Sequence, residues 1–234
     1  MKTYVIGAGG VGSHLLPSLC LLIGPEEVVV IDGDILEKHN LNRQLFQDTD
    51  IGRKKAEALA QRYGCEAIPK WYSFGMMEQQ KTDILICCCD NNPARVAVLN
   101  ACDFEGCSAV IAANETLSSE AYVYQPEWRG TNLDPRVSDP EMVNDRTGDP
   151  RAAAIGCTGE AQERNRQLVS ANMMAAALAL HLYVVHFIES RKLDSETLQH
   201  LPSKLIQNMT RSESFKSIIT TTQQTTMEER TANE

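Results

Sequence analysis

The chain has 234 residues, with 22 Lys and Arg set against 31 Asp and Glu and a formal net charge of −9. Such a length fits one α/β domain with a full core and falls short of two comfortable ones, and the acidic balance favours neither a nucleic-acid surface nor an anionic membrane as main partner. The eight cysteines include no C-x-x-C pair, and three are consecutive in an apolar run. This usage points to free thiols acting as small hydrophobes in a cytoplasmic protein, rather than to a disulfide framework or a structural zinc.

The first elements form a strand, a glycine turn, a helix and a strand. Tyr4-Val5-Ile6 is a short apolar run. Gly7, Gly9 and Gly12 fall on a G-x-G-x-x-G spacing with Gly10 added, and Val11, Leu15, Leu16, Leu19 and Leu22 make a helical stripe that stops at Gly24-Pro25. Lys2 ahead of this stretch does not make it a secretory leader: it lacks a small-residue cleavage site, and cleavage would remove the glycine turn. Glycines at this spacing allow a tight turn and a close approach of backbone to an anion, while the next helix offers free N–H groups to phosphate. Asp32 ends the second strand, where such folds place an acid on a ribose hydroxyl. A nucleotide-binding βαβ unit follows, and a nicotinamide-dependent oxidoreductase is one owner of such a unit.

Beyond Asp32 the loop carries Asp34, Asn40, Asn42, Arg43 and Gln44. A guanidinium flanked by amides suits phosphate oxygens, because its fork binds two at once; the alternative for Arg43 is a solvated polar loop. Asp48-Thr49-Asp50 is expected to cap a helix over 51–62 with Lys54 and Lys55 in its first turn. Cations there oppose the helix dipole and ask for an anion, so together with Arg43 they suggest a triphosphate.

A third strand is expected within 65–74, and the continuous apolar run 82–89 reads as a strand buried in a parallel sheet. It ends in Asp90-Asn91-Asn92-Pro93, with Arg95 opening a helix. Asp90 thus lies with Asp32 on the carboxyl edge of the sheet, where ligands bind, and can also serve as that helix's N-cap. Strands follow over 109–113 and 121–125, the second alternating like an antiparallel or edge strand, and Cys102 and Cys107 read as packing residues. The stretch 126–156, rich in Pro, Gly, Asp and Arg, predicts a loop of about thirty residues. Cys157 comes just ahead of a helix over 160–189, close to Arg151, Arg164 and Arg166. That setting lowers a thiol's pKa and makes a nucleophile; an inert small residue is the alternative. The run 171–188 is apolar enough to raise a membrane span, yet it is alanine-rich and carries Asn172, His181 and His186, which favours a helix buried on the sheet or in a dimer interface. A small hairpin over 201–219 and a disordered tail over 220–234 complete the chain.

Taken together, GAGGVGS at 7–13, the run from Asp32 through NLNRQ at 40–44, IGRKKA at 51–56 and CDNNPAR at 89–95 resemble the ThiF/MoeB family, the ATP-dependent activating enzymes of ubiquitin-like and sulfur-carrier proteins. CTGE at 157–160 adds a weaker match. The resemblance implies a Rossmann-like α/β fold with a mainly parallel sheet, helices on both faces, and antiparallel strands towards the C-terminal part. It implies one adenylation domain over 1–207, with 126–157 as its crossover loop and 208–234 as a short hairpin or tail. The nucleotide site would comprise Gly7, Gly9, Gly10, Gly12, Asp32, Asp34, Asn42, Arg43, Gln44, Lys55, Asp90 and Asn91. Asp32 would hold the ATP ribose, Arg43 and Lys55 the triphosphate, and Asp90 a magnesium ion. A carrier's C-terminal carboxylate would attack the α-phosphorus, and Cys157 would then take the acyl group as a thioester. A homo- or heterodimer is implied, although the sequence begins too close to the first strand to include the segment through which MoeB-like members supply an arginine to the partner subunit. The missing C-x-x-C pairs imply no zinc. An oxidoreductase would leave NLNRQ and Lys55 unexplained, and the full set of apparent ATP residues argues against a non-catalytic adaptor.

Overall fold

The computed structural model describes residues 1–114, 118–145, 168–192 and 201–208. A seven-stranded sheet with the order β3-β2-β1-β4-β5-β6-β7 runs through them. Strands β1 (Thr3–Ile6), β2 (Val28–Ile31), β3 (Glu66–Ile68), β4 (Ile84–Cys87) and β5 (Ser108–Asn114) pair in parallel with one another. Strands β6 (Ser118–Tyr124) and β7 (Lys204–Asn208) are added antiparallel beyond β5. The Rossmann-like class and the switch to antiparallel strands are as the sequence implies.

Composition explains the layers. Strands β2 and β4, VVVI and ILIC, are buried along their whole length because helices cover both faces of the sheet. One face packs Val5, Val28, Val30, Ile86 and Val110 against α1 (Gly10–Ile23), α2 (Lys55–Tyr63) and α6 (Val169–Tyr183). The other packs Ile6, Val29, Ile31, Leu85 and Ile111 against α3 (Asn92–Glu105) and Met142. Helix α6 is long and apolar enough, with the turn after it, to span a membrane. Instead it lies on α1, β5 and β6, its Ala171, Ala175, Ala176 and Ala179 buried so that the backbones approach closely. Tyr183 shares a 2.9 Å hydrogen bond with Thr3 of β1. His181 is exposed, and the ring of His186 meets the Pro202 carbonyl at 2.8 Å.

Several boundaries differ from the sequence expectation. Helix α2 begins at Lys55, not at 51, because Asp48–Asp50 forms a 3-10 turn and Gly52 takes φ +85°. Asp50 does not cap α2; its buried carboxylate accepts from the Gln47 amide and pairs with Arg53 and Arg62. Strand β3 is only three residues long, since Pro69 follows it and cannot donate to a ladder. Strand β6 is interior to the sheet, and β7 pairs with it at long range; the turn and second half of the expected 201–219 hairpin, with the rest of 209–234, fall outside the described residues.

The stretch after β6 is not structureless either. Its described part contains a 3-10 turn (Pro126–Trp128), α4 (Pro135–Ser138) and α5 (Glu141–Asn144). Polar contacts replace the missing apolar period: Asp134 caps α4 by accepting from the Arg136 amide, and Arg136 pairs with Asp103 at 2.7 Å and donates to the Tyr124 hydroxyl at 2.6 Å. Cys157, with Arg151, Arg164 and Arg166, lies outside the described residues, as does the expected start of the last helix at 160.

Candidate nucleotide site

The glycine turn joins β1 to α1 at the carboxyl edge of the sheet, where the strand order changes direction between β1 and β4. In doubly wound sheets that crevice is the ligand site. Gly7 takes φ +96°, and a Cβ there would sit 3.1 Å from the Cys88 carbonyl. A Cβ on Gly12 would overlap the Gly7 carbonyl oxygen, and one on Gly10 would overlap the Asn172 side chain. These three glycines are therefore demanded by the turn and by helix packing. Gly9 is different: a Cβ there would meet only the Gln44 amide, at 3.8 Å. Among the described residues the bare backbone of Gly9 thus has room beside it at the N-terminus of α1, where the first amides of a helix lack intrahelical acceptors and favour an anion.

Asp32, at the end of β2, fastens the turn. Its buried carboxylate accepts from the Ala8 amide at 2.6 Å and from the Asp34 amide at 2.7 Å. Burial pushes the Asp32 carboxyl up from its ordinary pKa, opposed by those amides and by the Lys55 charge. Lys55 is 5% exposed, and its ammonium lies 2.5 Å from the Asp34 carboxylate. The anion that the sequence asks for beside these cations is thus, in the free protein, Asp34. Lys54 turns the other way, donating to the Gly33 carbonyl at 2.6 Å. The pairing of Ile35 with Lys54 holds the 34–36 segment beside the start of α2.

The 40–45 loop closes the other side. Lys38–Asn42 is a 3-10 turn ended by Arg43, and Gln44 is buried beside Gly9. Asn42 is exposed. Beyond β4, Asn91 and not Asp90 caps α3, its side chain accepting from the Ala94 amide at 2.9 Å. Asp90 is exposed at the carboxyl end of β4 and forms no hydrogen bond or ion pair among the described residues. A free carboxylate there suits magnesium, which typically takes one or two protein carboxylates and fills its shell with water and phosphate oxygens.

One residue was missed by sequence reasoning. Asn172, in the first turns of α6, is completely buried, lies against Gly10, and donates from Nδ2 to the Arg43 carbonyl at 3.1 Å. Its only sequence signal is an amide within an apolar helix. Its Oδ1 and three other buried polar atoms, His14 Nε2 of α1 and Arg43 Nε and Gln44 Oε1 of the loop, have no partner among the described residues. Unsatisfied groups of this density are costly without a ligand or water to meet them.

A glycine cradle on a helix N-terminus, an acid at the end of β2, Arg43 on the flanking loop and Lys55 at the start of α2 make a candidate nucleotide site on a Rossmann-like α/β domain. The chain belongs to the ThiF family, whose model matches residues 1–227. It is 42% identical over 103 residues to the NEDD8-activating enzyme E1 catalytic subunit of Caenorhabditis elegans, covering 40% of this chain and 24% of that protein. To the SAMP-activating enzyme E1 of Haloferax volcanii it is 29% identical over 136 residues, 54% of this chain and 50% of that protein. The chain therefore spans between about a quarter and a half of these relatives. Among solved structures the fold matches Escherichia coli MccB with ATP (TM-score 0.62, 19% identity, covering 94% of this chain and 63% of that one) and PaaA (0.61, 15%, 94% and 63%).

Proposed function

We propose that the chain uses ATP to adenylate the C-terminal carboxylate of a small ubiquitin-like or sulfur-carrier protein. The observation that carries this reading is the set of cationic and amide groups, Arg43, Gln44 and Lys55, attached to the same cradle as Gly9 and Asp32. A dinucleotide's pyrophosphate needs little more than the backbone of the turn, whereas the charge on a triphosphate calls for such side chains. The kinship with enzymes named for activating NEDD8 and SAMP supports the carrier as substrate class.

Asp32 is already bonded through two amides, which holds its carboxylate rigidly for a ribose hydroxyl. Lys55 exchanges Asp34 for phosphate oxygens when the nucleotide enters, and Arg43 stabilises the charge that develops on the α-phosphorus. Asp90 would hold magnesium, which when bound would screen the phosphate charge. The carboxylate attacks the α-phosphorus, an acyl-adenylate forms and pyrophosphate leaves. Little covalent chemistry is asked of the protein, so positioning and electrostatics carry the step. Cys157 then takes the acyl group as a thioester and AMP departs. The active species is a dimer with a second ThiF-type subunit, in the cytoplasm.

Carrier-dependent exchange of pyrophosphate into ATP tests the first step. Exchange at wild-type rate after Arg43→Ala with Lys55→Ala would remove the assigned roles. Cys157→Ala is expected to keep exchange and lose the thioester; a thioester that survives this change refutes its role.

A further inference from the structure

Resting on the proposed ATP reading, we infer that Asn172 is a positioning residue: from α6 it latches the Arg43 loop to the N-terminus of α1, and so aims the Arg43 guanidinium at the polyphosphate. Three observations support it. The Asn172 side chain is 0% exposed and spends its Nδ2 donor on the Arg43 carbonyl, across 129 positions of sequence. The same carboxamide lies so close to Gly10 that any side chain there would overlap it. The Arg43 amide donates to the Asn40 carbonyl at 3.1 Å within its own turn, its backbone also meets the His14 ring of α1, and its Nε has no partner among the described residues.

The geometry has a chemical consequence. The bond to the carbonyl fixes the peptide plane between Arg43 and Gln44, and with it the directions in which the two side chains leave the backbone. One of them, Gln44, already stands beside Gly9. Without the latch the loop keeps its own 3-10 turn and its bonds to α1, where the Leu45 amide donates to Ser13 Oγ at 3.0 Å and the Arg43 backbone meets His14, but it loses the bond from α6 that fixes the Arg43–Gln44 peptide plane, and the guanidinium samples positions away from the phosphates. Asn172 touches no substrate in this role. The role accounts for one half of the buried carboxamide, its Nδ2 donor, whose burial would cost stability if it were left unpaired.

The test is a set of full-chain variants examined by calorimetric titration with Mg-ATP and, separately, with AMP. Asn172→Ala is expected to weaken ATP about five- to tenfold, the size of one lost buried hydrogen bond, while AMP binding changes less than twofold. In an Arg43→Ala background the same substitution should have no further effect on ATP, because the two residues act as one unit. Asn172→Ser, which keeps a hydroxyl on a shorter arm, replaces Asn172→Ala if the latter does not fold. Equal losses for ATP and AMP, or additive losses in the double variant, would show a structural role only and overturn the inference. If Arg43→Ala alone leaves ATP binding unchanged, the assignment of Arg43 fails first, which separates the two claims.

Discussion

The two sides of the cradle are built in different ways. The front side, residues 7–55, is assembled by short-range contacts: Asp32 reaches back 24 positions to the glycine turn, and Lys55 reaches 21 positions to Asp34. The back side comes from α6, whose Asn172 reaches Arg43 across 129 positions. Local chemistry thus supplies the groups that would touch a nucleotide, and a distant helix fixes their aim. The comparison teaches that charge and orientation in this site are separable, and substitutions on each side should fail in different ways.

The largest effect is expected on the front side. Gly12→Val drives a side chain into the Gly7 carbonyl and should cost about 3 kcal/mol or more in urea denaturation, with loss of ATP binding. Next, removing charge without disturbing the turn, Arg43→Ala with Lys55→Ala should lower pyrophosphate exchange by about a hundredfold or more while the chain stays folded. Away from the cradle, Arg136→Ala breaks the latch between α4, Asp103 and Tyr124 and should cost about 2 kcal/mol. Its affinity for Mg-ATP should stay unchanged, so a large drop there would blur the contrast between cradle and scaffold.

The smallest effect concerns pH. Burial lowers the pKa of His14 and of His186 below the ordinary 6.5, outweighing in each case a backbone carbonyl partner that raises it. The unfolded chain then binds more protons near that pH, so the stabilisation is present above 6.5 and is lost as pH falls through 6.5 towards the folded-state values. His186→Gln should flatten the pH dependence of the urea midpoint by less than about 1 kcal/mol. An unaltered slope would show that His186 does not contribute.

Much of this contrast was legible in the sequence, and the unread part has one physical origin. The glycine spacing, the buried runs VVVI and ILIC, and the polar loop through Gln44 are local signals, and the sheet, its antiparallel end and the placing of Asp32 and Lys55 follow from them. Contacts that close across the fold leave no period to detect. Asp50 looks like a helix cap and instead gathers Arg53 and Arg62; the 126–145 stretch looks structureless because Arg136 anchors it through Asp103 and Tyr124. Asp90 looks like the cap of α3, yet Asn91 takes that place and leaves the Asp90 carboxylate free of bonds among the described residues. Asn172 reads as a polar blemish on an apolar helix until Arg43 and Gly10 are seen beside it.

The central claim is that an ordinary dinucleotide cradle has been converted to a triphosphate site by the residues after Asp32. Titration of the full chain with Mg-ATP and with NAD, in wild type and in the Arg43→Ala, Lys55→Ala double variant, tests it most directly. The account predicts that Mg-ATP binds, that NAD does not compete with it, and that the double variant loses Mg-ATP affinity by about a hundredfold. Tight NAD binding without ATP binding, or Mg-ATP affinity untouched in the double variant, would contradict it.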